Sequence, residues 1–259
     1  MPRAFWKGVI SFGLVAIPVK MYLGTESETL SFHLLHKKCL TRPKQVLHCE
    51  TDDEYFGIKD TVRGYEVAKE QYVVLDDSDL ERVPIKTSHA IDILGFVEAK
   101  EIDPIYYYGV HYLEPEELGT RPFRLLKEAL VKTGRVGIGK VTFQRREHLG
   151  CLRPLEDSLL LHTMHYETEI LPRQELTPPK TKVTDAELDM AVSLVKAMAR
   201  GFKPGDYQDE YHEALKKVVE AKIKGEKLVA PAMPKAEMGD LMAALRASIA
   251  AAKKEPALS

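Results

Sequence analysis

The sequence has no run of about 18 apolar residues, so hydropathy offers no membrane-spanning helix. Its first twenty residues alternate apolar side chains with Gly, Ser and Pro and lack the charged start and apolar block of a secretory leader. The three cysteines, Cys39, Cys49 and Cys151, are odd in number and irregular in spacing, which argues against a disulfide framework. Together these absences predict a cytoplasmic protein with no membrane contact. Catalytic signatures are missing as well. There is no G-x-x-x-x-G-K-[ST], no H-E-x-x-H and no G-x-S-x-G. Gly134, Gly137 and Gly139 precede a strand rather than open a helix, so they do not form a phosphate cradle. No enzymatic activity and no cofactor are expected.

An excess of one charge is also lacking: the net charge is −2. The charges are nevertheless segregated. Residues 1–50 carry 7 Lys and Arg against 3 Asp and Glu, residues 51–120 carry 6 against 17, and residues 121–155 carry 9 against 2. Two basic segments flanking an acidic one can place phosphate-binding charge on one surface and solubilising charge on another.

What is present first is β pattern. Residues 6–22 are β-branched and aromatic, with Gly8 and Gly13 as bulges or bends and Pro18 at an edge or bulge. Residues 72–75, 90–97, 105–113, 135–143 and 159–166 read as further strands, with Ile91 and Ile93 on one face and Leu94 and Phe96 on the other. Short strands separated by turn signals predict a barrel or sandwich. One helix interrupts them at 121–133, with Thr120 as N-cap and Gly134 as its stop. Asp76 to Leu80 reads as a capped helical turn.

The last third is helical. Pro178-Pro179 marks the boundary, and Thr184 with Glu187 forms a capping box. Leu188, Ala191, Val195, Met198 and Phe202 then make one apolar stripe. A second helix is capped by Asp206, turns Tyr207, Tyr211, Ala214, Leu215 and Val218 inward, and closes at Gly225. A terminal Ala-rich helix over 240–254 has one narrow face, Leu241, Leu245 and Ile249, fitted either to docking on a partner or to packing on its own domain. The stripe of the helical arm needs a partner surface, and arm exchange in a homodimer supplies one.

His33, His36, Cys39, His48 and Cys49 crowd together but show no C-x₂-C spacing, and no metal site is expected. Asp52-Asp53 and Asp76-Asp77 read as solvated turns. The basic clusters are more informative. Arg145-Arg146 falls at a hairpin tip between two strands, where a guanidinium fork suits phosphate. Lys37, Lys38, Arg42 and Lys44 form a second cluster on an extended loop. A solvated face explains either cluster alone. Their common position near strand ends of one barrel favours a nucleic-acid surface.

The opening Ala4-Phe-Trp-Lys-Gly-Val-Ile-Ser-Phe-Gly-Leu-Val-Ala-Ile-Pro-Val-Lys20 resembles the start of prokaryotic Ku proteins. Arg63-Gly-Tyr-Glu66, Tyr72-Val-Val-Leu-Asp-Asp77, Asp103-Pro-Ile105, Tyr112-Leu-Glu-Pro115, Phe202-Lys-Pro-Gly-Asp-Tyr207 and Leu241-Met-Ala-Ala-Leu-Arg-Ala-Ser248 follow in the order of that family. The resemblance covers nearly the whole chain. It implies a mainly β protein with α elements: a Ku-type β-barrel over 1–177, an inserted DNA-embracing bridge at about 25–69, a helical dimerisation arm over 178–235, and a short C-terminal helix over 236–259. It implies a ring-shaped homodimer that threads onto double-stranded DNA ends, has no catalytic residues, associates with the nucleoid, and recruits the ATP-dependent DNA ligase D in non-homologous end joining. By position, Lys37, Lys38, Arg42, Lys44, Lys59 and Arg63 of the bridge would face DNA. Arg145 and Arg146 match a paired-arginine hairpin that contacts DNA in eukaryotic Ku, and Lys140 on the strand leading to it is counted with them. Leu241, Leu245, Arg246 and Ile249 fall in the ligase-interaction region. Two features depart from the family. Asp52 stands where many members complete a C-x₂-C, and the lysine-rich tail is reduced to Lys253-Lys254, which predicts weaker inward sliding on DNA. The rival readings are a β-barrel protein- or peptide-binding module and a metal-dependent nuclease.

Overall fold

Alternation of apolar and polar side chains puts one face of each strand inward, and seven such strands close on themselves. In the computed structural model the described residues are 3–83, 89–144, 146–172, 181–225 and 241–252. The strands are β1 (Trp6–Phe12), β2 (Val15–Leu23), β3 (Leu47–Cys49), β4 (Glu54–Phe56), β5 (Arg63–Ala68), β6 (Gln71–Leu75), β7 (Ala90–Glu98), β8 (Tyr107–Pro115), β9 (Arg135–Phe143), β10 (Arg146–Leu155) and β11 (Ser158–Met164). The helices are α1 (Asp77–Glu81), α2 (Thr120–Thr133), α3 (Asp185–Met198), α4 (Glu210–Lys224) and α5 (Leu241–Ala252). The chain divides into two units, Met1–Pro172 and Arg173–Ser259.

In the first unit the closed barrel runs β1-β2-β8-β11-β10-β9-β7. All pairings are antiparallel except β7 on β1, where Ile91 lies beside Ile10. The inward residues Ile10, Ile17, Val19, Met21, Ile91, Val141, Leu152, Leu159 and Leu161 are fully buried, and Phe123, Leu126 and Leu130 of α2 join their cluster. Ile91 and Ile93 are buried and Leu94 is exposed, the faces that alternation predicts. Gly13 supplies the positive φ of the β1–β2 turn, at 59°. Gly8 differs from expectation. Its pairing with Val19 is in register, so there is no bulge. The residue is glycine because an added Cβ would lie 2.4 Å from the Trp6 ring. Pro18 sits where β2 has not yet begun to pair with β8, which starts at Val19, and its carbonyl accepts the Glu116 N–H at 2.9 Å.

Thr120 is not the N-cap of α2. Gly119 holds that place, and the Thr120 hydroxyl donates back to the carbonyl of Glu117 at 3.1 Å. A preceding 3-10 turn, Glu117–Gly119, moves the helix start by one residue, which local sequence does not announce. Gly134 ends α2 at φ 65°, as expected. Asp76 caps α1 through the Asp79 N–H at 2.9 Å.

Among the described residues between β2 and β7, none adds a strand to the barrel. The chain there forms two separate hairpins, β3–β4 and β5–β6. The insertion therefore continues past Lys69, and residues 72–75, read with the barrel strands, belong to β6 outside it. Propensity identifies a strand but not its sheet.

In the second unit α3 is capped by Thr184 and Glu187 as expected but stops at Met198, leaving Phe202 beyond it. Asp209, not Asp206, caps α4, accepting from the His212 N–H at 2.9 Å, because Asp206 closes a 3-10 turn. On α4 the covered positions are His212, Leu215, Val218 and Ala221, whereas Tyr211 is exposed. Gly225 ends α4 at φ 74°. The helix α5 packs against α3. The half-buried residues of α3 are Glu187, Met190, Ala191 and Leu194, and those of α5 are Met242, Leu245 and Ile249, each set on one helical face. Of the stripe read from the sequence, only Ala191 is covered; Leu188, Val195, Met198 and Phe202 are exposed. Among the described residues no helix is long and apolar enough to cross a membrane.

Candidate nucleic-acid interface

The β9–β10 hairpin carries the basic tip. Phe143 pairs with Arg146, so only two residues turn the chain, and Gln144 takes a positive φ of 51°. Arg145 lies outside the described residues. The Arg146 guanidinium donates to the Glu169 carboxylate, which stands on the 3-10 turn Glu167–Glu169 following β11. Glu169 also accepts the Tyr166 backbone N–H at 2.8 Å. That amide, and then Arg146, hold the Glu169 carboxyl below its ordinary range, while Glu169 raises the guanidinium. Lys140 pairs with Glu147 at 2.8 Å, diagonally across the strands, and the Tyr166 hydroxyl donates to the same carboxylate at 3.4 Å. Hydrogen bonding to Glu147 raises the Lys140 ammonium.

The base of this hairpin meets a cluster of aromatic and imidazole rings, of which His111 and His148 are buried and Phe5 and Tyr108 exposed. Phe143 stacks on His148 with centroids 4.1 Å apart, and the Tyr108 hydroxyl lies 2.6 Å from His148 Nδ1. Phe5 and His111 each pack on Phe143. Trp6 Nε1 donates to the Thr142 carbonyl at 3.1 Å. Burial pushes both His148 and His111 below the ordinary imidazole value, so both are neutral at neutral pH. The tip therefore stands on packed rings. The sequence reading missed this cluster, because its members come from three segments far apart in the chain. The only local signal was Phe143 and His148 flanking the two arginines.

The other site residues expected from sequence are distributed along the insertion. Lys37 and Lys38 are exposed on a small loop closed by the His36 N–H to the Thr41 carbonyl at 2.9 Å. Cys39 lies 3.0 Å from both His36 Nδ1 and Thr41 Oγ1, and hydrogen bonding from Thr41 brings its thiol down to about 7. Arg42 and Lys44 follow in extended, exposed chain. Lys59 is exposed on the 3-10 turn Ile58–Asp60. Arg63 opens β5 and is paired with Asp77 at 2.8 Å. On α5, Leu241 and Arg246 are exposed, whereas Leu245 and Ile249 lie on the half-buried face. The structure thus brings Lys140 and Arg146 together on one hairpin and leaves the other cations spread over the insertion.

Among the described residues the acidic turns and the His/Cys region meet only in pairs. His48 Nε2 lies 2.9 Å from Asp53, Cys49 donates to Asp52 at 3.4 Å, Asp76 caps α1, and Asp77 holds Arg63. Among the described residues no group of three or more metal-ligating side chains gathers.

A seven-stranded barrel with one long insertion defines a β-barrel protein that carries basic side chains both on a hairpin of the barrel and along the insertion. The chain belongs to the Ku family: the model of the Ku70/Ku80 beta-barrel domain matches residues 11–190. A Non-homologous end joining protein Ku of Solibacter usitatus is 40% identical over 261 residues, covering 99% of this chain and 98% of the relative. The protein of that name from Desulfitobacterium hafniense is 40% identical, covering 95% of this chain and 86% of its own length. Its counterpart from Archaeoglobus fulgidus is 38% identical over 97% of this chain and 100% of its own length.

Proposed function

We propose that the protein binds double-stranded DNA ends without regard to sequence, as a ring-shaped homodimer, in repair by non-homologous end joining. The observation that carries this reading is the β9–β10 tip on its aromatic base, in a Ku-family barrel whose insertion is long enough to reach around a ligand. Lys37, Lys38, Arg42, Lys44, Lys59, Arg63, Lys140, Arg145 and Arg146 contact phosphates. Phosphate contact supplies affinity without base information, since backbone charge is the same at every step. Ring closure supplies what charge does not: the protein loads only at a terminus and cannot leave sideways. The exposed stripe of α3, Leu188, Val195 and Met198, is the arm surface that a second copy covers. The protein acts by binding rather than catalysis, in the cytoplasm at the nucleoid. With about six phosphate contacts, affinity falls roughly 10³-fold between about 50 and 200 mM salt.

Linear duplex and the same DNA as a closed circle, each with Mg²⁺, test the reading. The expected result is a shift of the linear form alone, with neither form cut. Equal binding to circles removes the ring, and cleavage makes the protein a nuclease.

The partner of α5 is DNA ligase D, met through Leu241 and Arg246 on the exposed side and, if α5 lifts from α3, through Leu245 and Ile249. Deleting residues 240–259 is expected to leave DNA binding intact and to remove ligase stimulation. Leu241→Ala with Arg246→Ala keeps the α3-facing residues and separates lost partner contact from lost arm packing. Full stimulation by both variants would make α5 a purely structural helix.

A further inference from the structure

Two cations toward the tip of the β9–β10 hairpin are already held by carboxylates. Arg146 is paired with Glu169 and Lys140 with Glu147. Glu169 is fixed by the Tyr166 N–H, and the Tyr166 side chain reaches Glu147, so one short turn after β11 docks on the hairpin through both ion pairs. A carboxylate offers a guanidinium the same two-oxygen edge that a phosphate offers. We propose that Glu169 is an internal competitor for Arg146: DNA phosphate must displace it, and its presence lowers the affinity of the tip for duplex. This inference rests on the proposed DNA contact of the hairpin.

The consequence suits a protein that must hold any end and still move along it. A fully free guanidinium gains the whole phosphate interaction at each position. One that exchanges between Glu169 and phosphate has a contact waiting whenever it lets go, which flattens the energy between neighbouring positions. Glu169 is charged at neutral pH, because both the Tyr166 amide and Arg146 stabilise its ionised form. The exchange therefore operates under the conditions in which DNA binds.

The test uses the full chain and four proteins: the unaltered protein, Glu169→Gln, Arg146→Gln and the double variant, titrated with linear duplex at several salt concentrations. Glutamine keeps the length of the side chain and an oxygen for the Tyr166 amide. Glu169→Gln is expected to bind about two- to fivefold tighter, the range of an exposed ion pair. Arg146→Gln binds more weakly, and adding Glu169→Gln to it changes nothing further, because the competitor acts only through Arg146. Glu167→Gln removes a charge from the same turn without touching that pair, and serves as the control for a general field effect. If Arg146→Gln weakens binding while Glu169→Gln does not tighten it, the competitor is overturned and the DNA contact stands. An equal gain in both backgrounds, or an equal gain from Glu167→Gln, also overturns it. An Arg146→Gln variant of unchanged affinity overturns the DNA contact itself.

Discussion

Charge reversal at the hairpin tip, Arg145→Glu with Arg146→Glu, is expected to weaken binding of linear duplex by roughly 10²–10³-fold near physiological salt. Each phosphate contact contributes about 0.9 to the slope of log affinity against log salt, so losing two flattens it by about two units. Reversal adds repulsion to the loss. Arg146 also loses Glu169 as a partner, and two like charges then face each other on the surface of the barrel. The folded state should tolerate this. The base of the hairpin is held by the Phe143–His148 stack, the Tyr108 hydroxyl and the Trp6 indole, contacts that are made by groups other than the guanidinium. The check is a fluorescence-anisotropy titration at four salt concentrations, with sedimentation to follow the oligomer. Wild-type affinity in the double variant would remove the tip from the path of DNA.

Trp6→Ala should cost about 3–5 kcal/mol of folding stability, the range for deleting a large buried aromatic. Trp6 is buried at the start of β1, and its ring lies over Gly8, where any Cβ would collide with it. Its Nε1 donates to the Thr142 carbonyl, next to the base of the tip. Removing the indole therefore leaves a cavity and takes a partner from a buried backbone oxygen. A domain stable by 5–15 kcal/mol loses a large part of its margin, and the midpoint of thermal unfolding falls by about 6–20 °C. Trp6 is the one tryptophan of the chain, so the transition is followed by circular dichroism rather than by intrinsic fluorescence. Phenylalanine at the same position restores most of the volume but not the hydrogen bond, and should recover more than half of the loss. An alanine variant that melts with the unaltered protein would show that the barrel closes without this side chain.

Much of the candidate site was legible before the fold was known, in a particular sense. The paired arginines fall where one strand ends at Phe143 and the next begins at Arg146, because a hairpin is a local structure whose turn residues interrupt a local alternation. The carboxylates that hold the cations were not legible. Glu169 is 23 positions from Arg146, and no spacing rule connects a 3-10 turn after one strand to a tip two strands away. The insertion shows the same division. Its basic cluster and the strand at 72–75 are legible, but β3, β4 and β5 are not, and nothing local keeps β6 out of the barrel, because strand propensity is blind to which edge a strand joins.

The amino-acid sequence by itself determined the elements whose hydrogen bonds are satisfied by near neighbours: the inward alternation of β1, β2, β7 and β9, the Asp76 and Thr184 caps, the left-handed glycine stops at Gly134 and Gly225, and the division into a β-rich and a helical part. Only the tertiary structure decided how those elements close and what they cover. It paired β7 parallel to β1, left β3 to β6 outside the barrel, turned the half-buried face of α5 toward α3, and gathered Phe5, Tyr108, His111, Phe143 and His148 beneath the tip. The reason is physical. Caps and alternation depend on bonds and faces within a few residues, whereas register, sheet membership and burial depend on which distant surfaces lose their water together.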